Sequence, residues 1–259
     1  MEKARLIIDD AANGAWNMSM DQALLETANS TGLVTLRFYT WSEPTLSLGY
    51  FQSHLDRVHH PSSQACPMVR RKTGGGAILH HHELTYSLCV PAQHRWSKQN
   101  SDLYRLVHRA IIELLAQDSI TAHLFGEVDE PILACHSKDQ LPVATIDNRD
   151  FMCFKRRAEG DIVLDGHKVV GSAQRRLRNA LLQHGSLLLF GSKFASELFG
   201  IKDLVSEWPE SQLAKKLADV IFGSLGTSYF VGEPSDQEMD ASKSVYSSQF
   251  DADIWNFGR

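Results

Sequence analysis

Cys153 lies in the segment FMCFKRR, where three cationic residues, Lys155, Arg156 and Arg157, follow the thiol directly. A cysteine between aromatic residues is usually an inert part of the core. Nearby cations, however, stabilise a thiolate, which is the nucleophilic form of the side chain. Lys168 follows in HKVVGSAQRR, where it is either a solvated strand residue or a charge that holds an acyl carbonyl or a phosphate. These residues are the first candidates for nucleophilic chemistry.

Three consecutive glycines occupy positions Gly74, Gly75 and Gly76. They follow a basic pair, Arg70 and Arg71. Without Cβ atoms the backbone can approach a ligand closely and turn its N–H groups toward a carboxylate, a carbonyl or a phosphate. The alternative is the tip of a tight hairpin. The segment matches neither a Walker A loop nor a dinucleotide-binding fingerprint, and the two arginines favour anion recognition.

Three consecutive histidines, His80, His81 and His82, raise the question of a metal site. On a strand, His80 and His82 share a face and His81 does not. Apart from Glu83, no cysteine or carboxylate at ligand spacing completes a site. We therefore expect ordinary strand or loop histidines and no bound metal.

The composition predicts one large domain, or one domain with a short appendage, because 259 residues with 43% hydrophobic content can bury a sizeable core. The N-terminal segment does not resemble a signal peptide, and no apolar stretch approaches the roughly 20 residues that cross a bilayer. Four cysteines without a CxxC indicate reduced thiols rather than a disulfide framework: Cys66, Cys89, Cys135 and Cys153. We expect a cytoplasmic protein without membrane contact.

The net charge of −5 argues against a general nucleic-acid binder. The charge is unevenly spread along the chain, because the segment from Arg149 to Arg178 contains eight Lys or Arg residues but only four Asp or Glu residues. A charge run is usually a solvated face. The alternative is a docking surface for an acidic partner or for an acyl-carrying phosphate arm.

Two helices are predicted in the first half of the chain. An apolar stripe indicates a helix over 17–28, with Asn17 or Ser19 as its cap. A second amphipathic helix covers 102–117, and Ser101 is its predicted cap.

Strand patterns cover most of the remaining chain up to residue 190. They include VTLRFYTW, PTLSLGYFQ, MVRRK, AILHHHELTYSLCV and ALLQHGSLLLF. DIVL and HKVV are joined by Asp165-Gly166, which is the strongest short hairpin signal. Strands and helices together predict an α+β fold with a mixed β-sheet and flanking helices.

The pattern weakens after residue 205. A helix is predicted over 212–222, whereas 232–259 is polar and poorly patterned, so we expect that tail to be loosely packed. The predicted division is a main domain of residues 1–205 and a short helical C-terminal extension of residues 206–259.

Five collinear segments resemble the lipoate and biotin protein ligase superfamily. They read WNMSMDQALLE, LRFYTWSEPTLSLGYFQ, RRKTGGGAILHHHELTYS, GHKVVGSAQRR and LLQHGSLLL. Each alone is weak, but together they are specific. The resemblance implies that residues 1–205 form an acyl or lipoyl transferase catalytic domain with the fold of that superfamily. Biotin ligases fit poorly, because their glycine segment usually reads GRGR followed by a tryptophan.

Two other branches of the superfamily differ ahead of the hairpin lysine. ATP-dependent lipoate ligases usually carry an Asn-Asp pair there, which serves nucleotide and magnesium. This chain reads Glu159-Gly160-Asp161, so the aspartate is kept and the asparagine is missing. Octanoyltransferases of the type found in Gram-positive bacteria place a nucleophilic cysteine about fifteen residues before the lysine, and Cys153 and Lys168 have that separation. The chain most resembles this cysteine-dependent octanoyltransferase branch.

The resemblance implies protein lipoylation by a two-step acyl transfer without a cofactor. Cys153 would take an octanoyl group from octanoyl-acyl carrier protein, and Lys168 would hold the acyl carbonyl. The acceptor would be a lysine of a lipoyl-domain protein, either the glycine cleavage H protein or a 2-oxoacid dehydrogenase E2 subunit. The implied substrate-binding residues are Arg70, Arg71, Gly74, Gly75, Gly76, His80, Gly171, Ser172 and Ala173. One departure is His81, where the family commonly has Asp.

Three alternatives stay open. The chain could be an ATP-dependent lipoate ligase, which would need ATP and magnesium, or an amidotransferase that moves octanoyl between lipoyl-bearing proteins. From a different class, it could be a non-catalytic homologue that only binds a lipoyl domain. The presence of both Cys153 and Lys168 argues against a pure binder, because binding needs neither.

Overall fold

The computed structural model describes residues 3–127, 150–205, 207–208 and 211–258. Two residues of the sequence predictions, Cys135 and Arg149, lie outside this part of the chain. The described elements in chain order are β1 (Lys3–Ile8), α1 (Gly14–Thr31), β2 (Val34–Tyr39), β3 (Thr45–Leu48), β4 (Met68–Arg70), β5 (Ile78–His80), β6 (Glu83–Val90), α2 (Asn100–Gln117), β7 (His123–Leu124), β8 (Ile162–Leu164), β9 (His167–Leu177), β10 (Ala180–Leu188), α3 (Ile201–Leu204), α4 (Leu213–Leu225), β11 (Ser228–Val231), α5 (Asp236–Val245) and α6 (Asp253–Phe257).

A mixed sheet of eight strands forms the centre of the fold, in the order β11-β1-β2-β6-β10-β9-β8-β7. The strands β11, β1 and β2 run parallel, and the other neighbours are antiparallel. Side chains alternate between the two faces of each strand: Leu6 of β1 joins a core with α2 and α4, whereas Ile7 joins a core with α1. The predicted α+β fold with a mixed sheet and flanking helices is confirmed.

The two helices predicted in the first half of the chain are both present, but each begins earlier than its apolar stripe indicates. The cap of α1 is Asn13, whose side chain accepts the Trp16 N–H. The predicted cap Asn17 instead lies inside the helix, where its amide donates to the carbonyl oxygens of Ala12 and Thr40. The predicted cap Ser101 is the second residue of α2, whose first turn has no side-chain cap. A polar residue that is buried by tertiary contacts thus resembles a cap in the sequence alone.

The predicted hairpin at Asp165-Gly166 is confirmed, because this pair joins β8 to β9 with positive φ angles of 47° and 70°. Positive φ at both central residues is the signature of a type I′ turn. The turn brings Lys168 of β9 back alongside Val163 of β8.

The glycine segment is not a hairpin tip. It connects β4 to β5, which lie on opposite sides of β3 in a separate three-stranded sheet. The loop crosses the end of β3, and a Cβ on Gly49 would lie 2.0 Å from the carbonyl oxygen of Gly75. The close approach that glycine permits is therefore made between two backbone segments.

Residues 228–258 form β11, α5 and α6, and most of their side chains are exposed or half-buried, whereas Glu238, Ser242, Phe250 and Asn256 are buried. β11 pairs with β1, and Glu238 of α5 is 1% exposed because it forms an ion pair with Arg5. Farther along, the Asn256 side chain accepts the Arg70 N–H at 2.8 Å. A few polar residues of this segment therefore make buried contacts, and the loose packing of 232–259 stays a prediction. The boundary at residue 205 stays a prediction. Among the described helices, none is both long and apolar enough to cross a membrane.

Candidate active site

A cavity of about 270 Å³ lies between the glycine loop, the turn that carries Cys153, and strands β9 and β10. Eight of the predicted site residues line it: Arg71, Gly74, Gly75, His80, Cys153, Gly171, Ser172 and Ala173. Nine further lining residues were not predicted from the sequence: Met18, Tyr39, Ile78, Thr85, Phe154, Gln174, His184, Gly185 and Ser186.

Cys153 begins a short 3₁₀ turn, Cys153–Lys155, and its thiol is half-buried. Its N–H donates to the Ala77 carbonyl oxygen at 2.7 Å, while the Ala77 N–H donates to the Phe151 carbonyl oxygen at 2.9 Å. These two bonds tie the turn to the strand that follows the glycines. The thiol is held at the cavity wall by the backbone.

Lys168 meets Cys153 from the neighbouring hairpin. Its Nζ lies 3.8 Å from the Cys153 Sγ and 3.4 Å from the carbonyl oxygens of Cys153 and Arg156. The same Nζ lies 2.8 Å from Asp161 Oδ2, and the two charged side chains are 3% and 1% exposed. The predicted cysteine and lysine are therefore in contact. The buried carboxylate of Asp161 lies beside them and was not predicted as a site residue.

Two of the three cations that follow the thiol are directed elsewhere. Arg156 donates to the Asp150 carbonyl oxygen, and Arg157 donates to the Gly166 carbonyl oxygen. The second cation near Sγ comes from the glycine loop, since a Cβ on Gly75 would lie 3.1 Å from an Arg71 nitrogen and 3.8 Å from Sγ. Burial lowers the pKa of Arg71 to about 10, and the nearby thiol opposes this shift. At neutral pH Arg71 still carries its charge.

Arg71 holds the glycine loop. Its guanidinium donates to the carbonyl oxygens of Ser47, Gly74 and Gly76 at 2.9, 2.9 and 2.6 Å. Gly76 itself lies behind the cavity wall.

Arg70 is not at the cavity, although it was predicted to bind substrate. It is fully buried, and its guanidinium donates to the carbonyl oxygens of Gly49, Gln52 and Asn256. It therefore joins the end of the chain to the loop after β3. The two arginines of the basic pair therefore have different roles: Arg71 binds the glycine loop at the cavity, and Arg70 binds α6 and the loop after β3.

Asp161 is fixed from two sides. Its Oδ1 accepts the Tyr104 hydroxyl at 2.8 Å, and its Oδ2 accepts the Ala158 N–H at 2.7 Å. Burial, followed by the neighbouring Asp161 charge, raises the pKa of Tyr104, which keeps the phenol protonated as a donor. The carboxylate is thus oriented before it meets Lys168.

A chain of neutral hydrogen bonds fixes Ser172. His108 Nδ1 lies 2.6 Å from the Gly160 carbonyl oxygen, which can only accept, so Nδ1 carries the proton. Nε2 then accepts the Ser172 hydroxyl at 2.6 Å, and Ser172 Oγ accepts the Tyr86 hydroxyl at 2.6 Å. Burial lowers the pKa of His108 to about 4 and raises that of Tyr86 to about 12. Both groups are neutral at pH 7.

His80 is a wall residue with both ring nitrogens engaged. Nδ1 bonds Glu83 Oε1 at 2.6 Å, Nε2 bonds Ser47 Oγ at 2.7 Å, and the ring stacks on Trp41 at 3.8 Å. Burial lowers the pKa of His80, although Glu83 opposes this. Within the described ranges, no three His, Cys, Asp or Glu side chains are grouped to hold a metal ion.

His184 is a second histidine in the wall, on β10. Its Nδ1 lies 3.1 Å from Asp21 Oδ2 and its Nε2 lies 2.8 Å from Thr73 Oγ1. Burial by itself would raise the pKa of Asp21, but the His184 hydrogen bond and the Arg37 charge hold it below its ordinary value. The segment LLQHGSLLL was the available signal for His184, since it belongs to the superfamily resemblance.

The sequence matches the family described as lipoyl protein ligase A/B catalytic domain over residues 13–215. An octanoyltransferase LipM of Kyrpidia tusciae is 31% identical over 99% of both chains. An octanoyltransferase LipM of Brevibacillus brevis is 34% identical over 73% of this chain and 67% of its own length. The relationship thus extends over the whole described site.

Solved structures share the fold at lower identity. A putative lipoate protein ligase from T. acidophilum superimposes with a TM-score of 0.75 at 19% identity and covers 99% of both chains. A lipoate-protein ligase A bound with ATP superimposes with a TM-score of 0.76 at 18% identity, also over 99% of both chains. At this level of sequence identity, the structural similarity shows a shared fold.

Proposed function

Because this chain belongs to the lipoyl protein ligase A/B catalytic domain family, we propose that it transfers an octanoyl group from acyl carrier protein to a lysine of a lipoyl-domain protein. The observation that carries the proposal is the Cys153 Sγ, which belongs to a residue that lines the cavity and lies 3.8 Å from the Lys168 Nζ. The names of the relatives with 31–37% identity support the same activity.

In the first step, the Cys153 thiolate attacks the carbonyl carbon of the octanoyl thioester. The new C–S bond forms as negative charge develops on the carbonyl oxygen, and the Lys168 ammonium opposes that charge. The bond to the carrier sulfur then breaks, and the carrier leaves as a thiol after it takes up a proton. A thiol suits this exchange because it is both a good nucleophile and a good leaving group.

In the second step, the neutral ε-amine of the acceptor lysine attacks the acyl carbon on Cys153. The amide bond forms, the C–S bond breaks, and the amine releases a proton to solvent. Cys153 returns as a thiolate beside Lys168. ATP is not required, because the thioester is already activated.

The cavity beyond Cys153 would take the acyl chain. Its wall includes apolar side chains, Met18, Ile78 and Phe154, together with glycine backbone. Each CH₂ buried there contributes about 0.8 kcal/mol to binding. The glycines, Arg71 and His80 would surround the thioester end.

The partners in this proposal are octanoyl-acyl carrier protein as donor and the lipoyl domain of an H protein or an E2 subunit as acceptor, in the cytoplasm. The excess of basic residues over 149–178 would suit an acidic partner surface. Since Cys153 and Lys168 belong to that segment, the charge would bring the partner to the nucleophile.

An ATP-dependent ligase is the second candidate, favoured by the retained Asp161. In this chain, however, both carboxylate oxygens of Asp161 are engaged by Lys168, Tyr104 and the Ala158 N–H. The arrangement supports the transferase.

The test is incubation of the protein with octanoyl-acyl carrier protein without ATP, followed by intact-mass measurement. We expect one octanoyl group on the protein, located at Cys153 by peptide mapping, and its transfer to an added lipoyl domain. ATP-dependent lipoylation with free lipoate, unchanged in Cys153→Ala, would overturn the assignment.

A further inference from the structure

We propose that Asp161 is a positioning residue that keeps the Lys168 ammonium directed at Cys153. Its consequence for acyl transfer rests on the function proposed above, but its effect on the thiol can be measured without any substrate.

The contacts of the Lys168 ammonium define the need for a counter-charge. The side chain is 3% exposed, and its closest partner is Asp161 Oδ2 at 2.8 Å. The carbonyl oxygens of Cys153 and Arg156 follow at 3.4 Å. An ammonium removed from water is stable only when paired, and otherwise it loses its proton or turns toward solvent.

Asp161 suits this task because it cannot rotate freely. The Tyr104 hydroxyl holds Oδ1 and the Ala158 N–H holds Oδ2. Gly171 leaves the space that the lysine occupies, since a Cβ there would lie 2.4 Å from the Lys168 Cε. The ammonium thus lies between the fixed carboxylate and the carbonyl oxygen and Sγ of Cys153.

Gly160 explains why the ligase asparagine is missing here. Its φ of +90° is a conformation that favours glycine. A Cβ at this position would also lie 3.2 Å from the Tyr104 ring. Gly160 lets Tyr104 approach Asp161. The glycine that replaces the ligase asparagine is therefore part of the arrangement that orients Asp161 toward Lys168.

The charged and titratable groups around this pair set the sign of the effect. Tyr104 and His108 of α2 are neutral, Cys153 faces Lys168 from the 3₁₀ turn, and Arg71 faces the thiol across Gly75. If Asp161 acts by holding Lys168, its neutralisation removes the thiol's nearest cation and slows alkylation. If Asp161 only contributed a negative charge, its neutralisation would favour the thiolate and speed alkylation.

The experiment measures iodoacetamide alkylation of Cys153 by peptide mass spectrometry between pH 6 and 9. We expect Asp161→Asn to slow the reaction near pH 7 by about tenfold, the scale of one opposite charge at this distance, and Lys168→Ala to do the same. The double variant should be no slower than Lys168→Ala, because Asp161 acts through the lysine. Glu159→Gln is the matched control: Glu159 is exposed and pairs with Arg105, so its alkylation should equal that of the wild type.

Alkylation of folded Asp161→Asn at the wild-type rate or faster would overturn the proposal, as would independent effects of the two substitutions. If Asp161→Asn does not fold, Tyr104→Phe tests the proposal instead, because it keeps the Asp161 charge and removes the hydrogen bond that orients the carboxylate. Slower alkylation in Tyr104→Phe supports the proposal, and an unchanged rate contradicts it. A wild-type protein that does not transfer octanoyl would refute the proposed function and leave the alkylation result standing.

Discussion

The backbone of Cys153 lies directly against Gly76, with its amide nitrogen and Cα each 3.0 Å from where a Gly76 Cβ would stand. The Phe151 carbonyl oxygen lies at the same distance. The third glycine of the triplet therefore makes room for the candidate nucleophile, and the first two form the cavity wall.

Gly76→Ala should displace the Cys153 turn and reduce octanoyl transfer at least tenfold, since a shift of reacting groups by less than 1 Å weakens catalysis strongly. Steady-state transfer, with circular dichroism as the folding check, measures this. Gly223→Ala is the comparison, because Gly223 lies in α4 outside the cavity and a Cβ there meets no atom within 4 Å. Equal losses in both variants would contradict the specific role of Gly76.

Cys153→Ala should abolish transfer with the fold intact. Cys66→Ala and Cys89→Ala should keep transfer and lose about 1–3 kcal/mol of stability. Burial raises the pKa of both these thiols, which stay protonated and unreactive. Cys135→Ala is likewise expected to affect stability alone, although that residue lies outside the described part of the chain. Transfer assays and thermal unfolding check the series, and near-normal turnover of Cys153→Ala would refute the acyl-enzyme.

Lys168→Ala should lower the rate of transfer by about 10²–10³, the scale for loss of one donor to a developing oxyanion. Lys168→Arg should restore the charge but not the full rate, because a planar guanidinium does not fit the space of an ammonium between Asp161 and Cys153. Single-turnover acylation of Cys153 measures both. Normal acylation in Lys168→Ala would make the lysine a structural residue.

Octanoyl-acyl carrier protein should be consumed without ATP or magnesium, and acceptor binding should weaken as salt rises. Exposed charges are screened beyond about 8 Å at physiological ionic strength, so a salt-independent Kd for the lipoyl domain would exclude docking by the basic segment. Titration calorimetry at two salt concentrations makes the measurement.

Glu238→Gln should lower stability at pH 7 by about 3 kcal/mol, because Arg5 is left buried without its partner. Burial by itself would raise the pKa of Glu238, but the hydrogen bonds from Arg5 and Ser235 together with the Arg5 charge hold the pKa below the ordinary value. A carboxyl whose pKa is lowered in the folded state stabilises the fold at pH values above its unfolded pKa. The difference in the free energy of unfolding between the wild type and Glu238→Gln should therefore become smaller as the pH falls below about 4.3. Asp240→Asn, in an exposed pair with Lys243 on the same helix, is the control in thermal unfolding. A stability difference that persists at low pH would argue against the ion pair as its cause.

Local signals predicted the parts of the site that neighbouring residues determine. Asp165-Gly166 predicted its own turn, and the turn fixed the approach of Lys168 to Cys153. His184 was not placed, because its partners Asp21 and Thr73 lie on elements distant in sequence. Asp161 was not placed because the Tyr104 hydroxyl that helps to orient it comes from α2, 57 residues earlier. The cap of α1 was misplaced because Asn17 satisfies distant carbonyl groups, a contact that the sequence pattern does not contain.

Arg70 bonds Asn256 and Trp255 through its N–H and its guanidinium. Its N–H and the Asn256 side chain are 186 residues apart in sequence. At a translation rate of about 5–20 residues per second, the ribosome delivers the second partner about 10–40 s after the first. Throughout that interval Arg70 lacks its partners in α6, although its bonds to the loop after β3 can already form. The residues that line the cavity around Cys153 are thus all synthesised before the partners that fix Arg70 to α6.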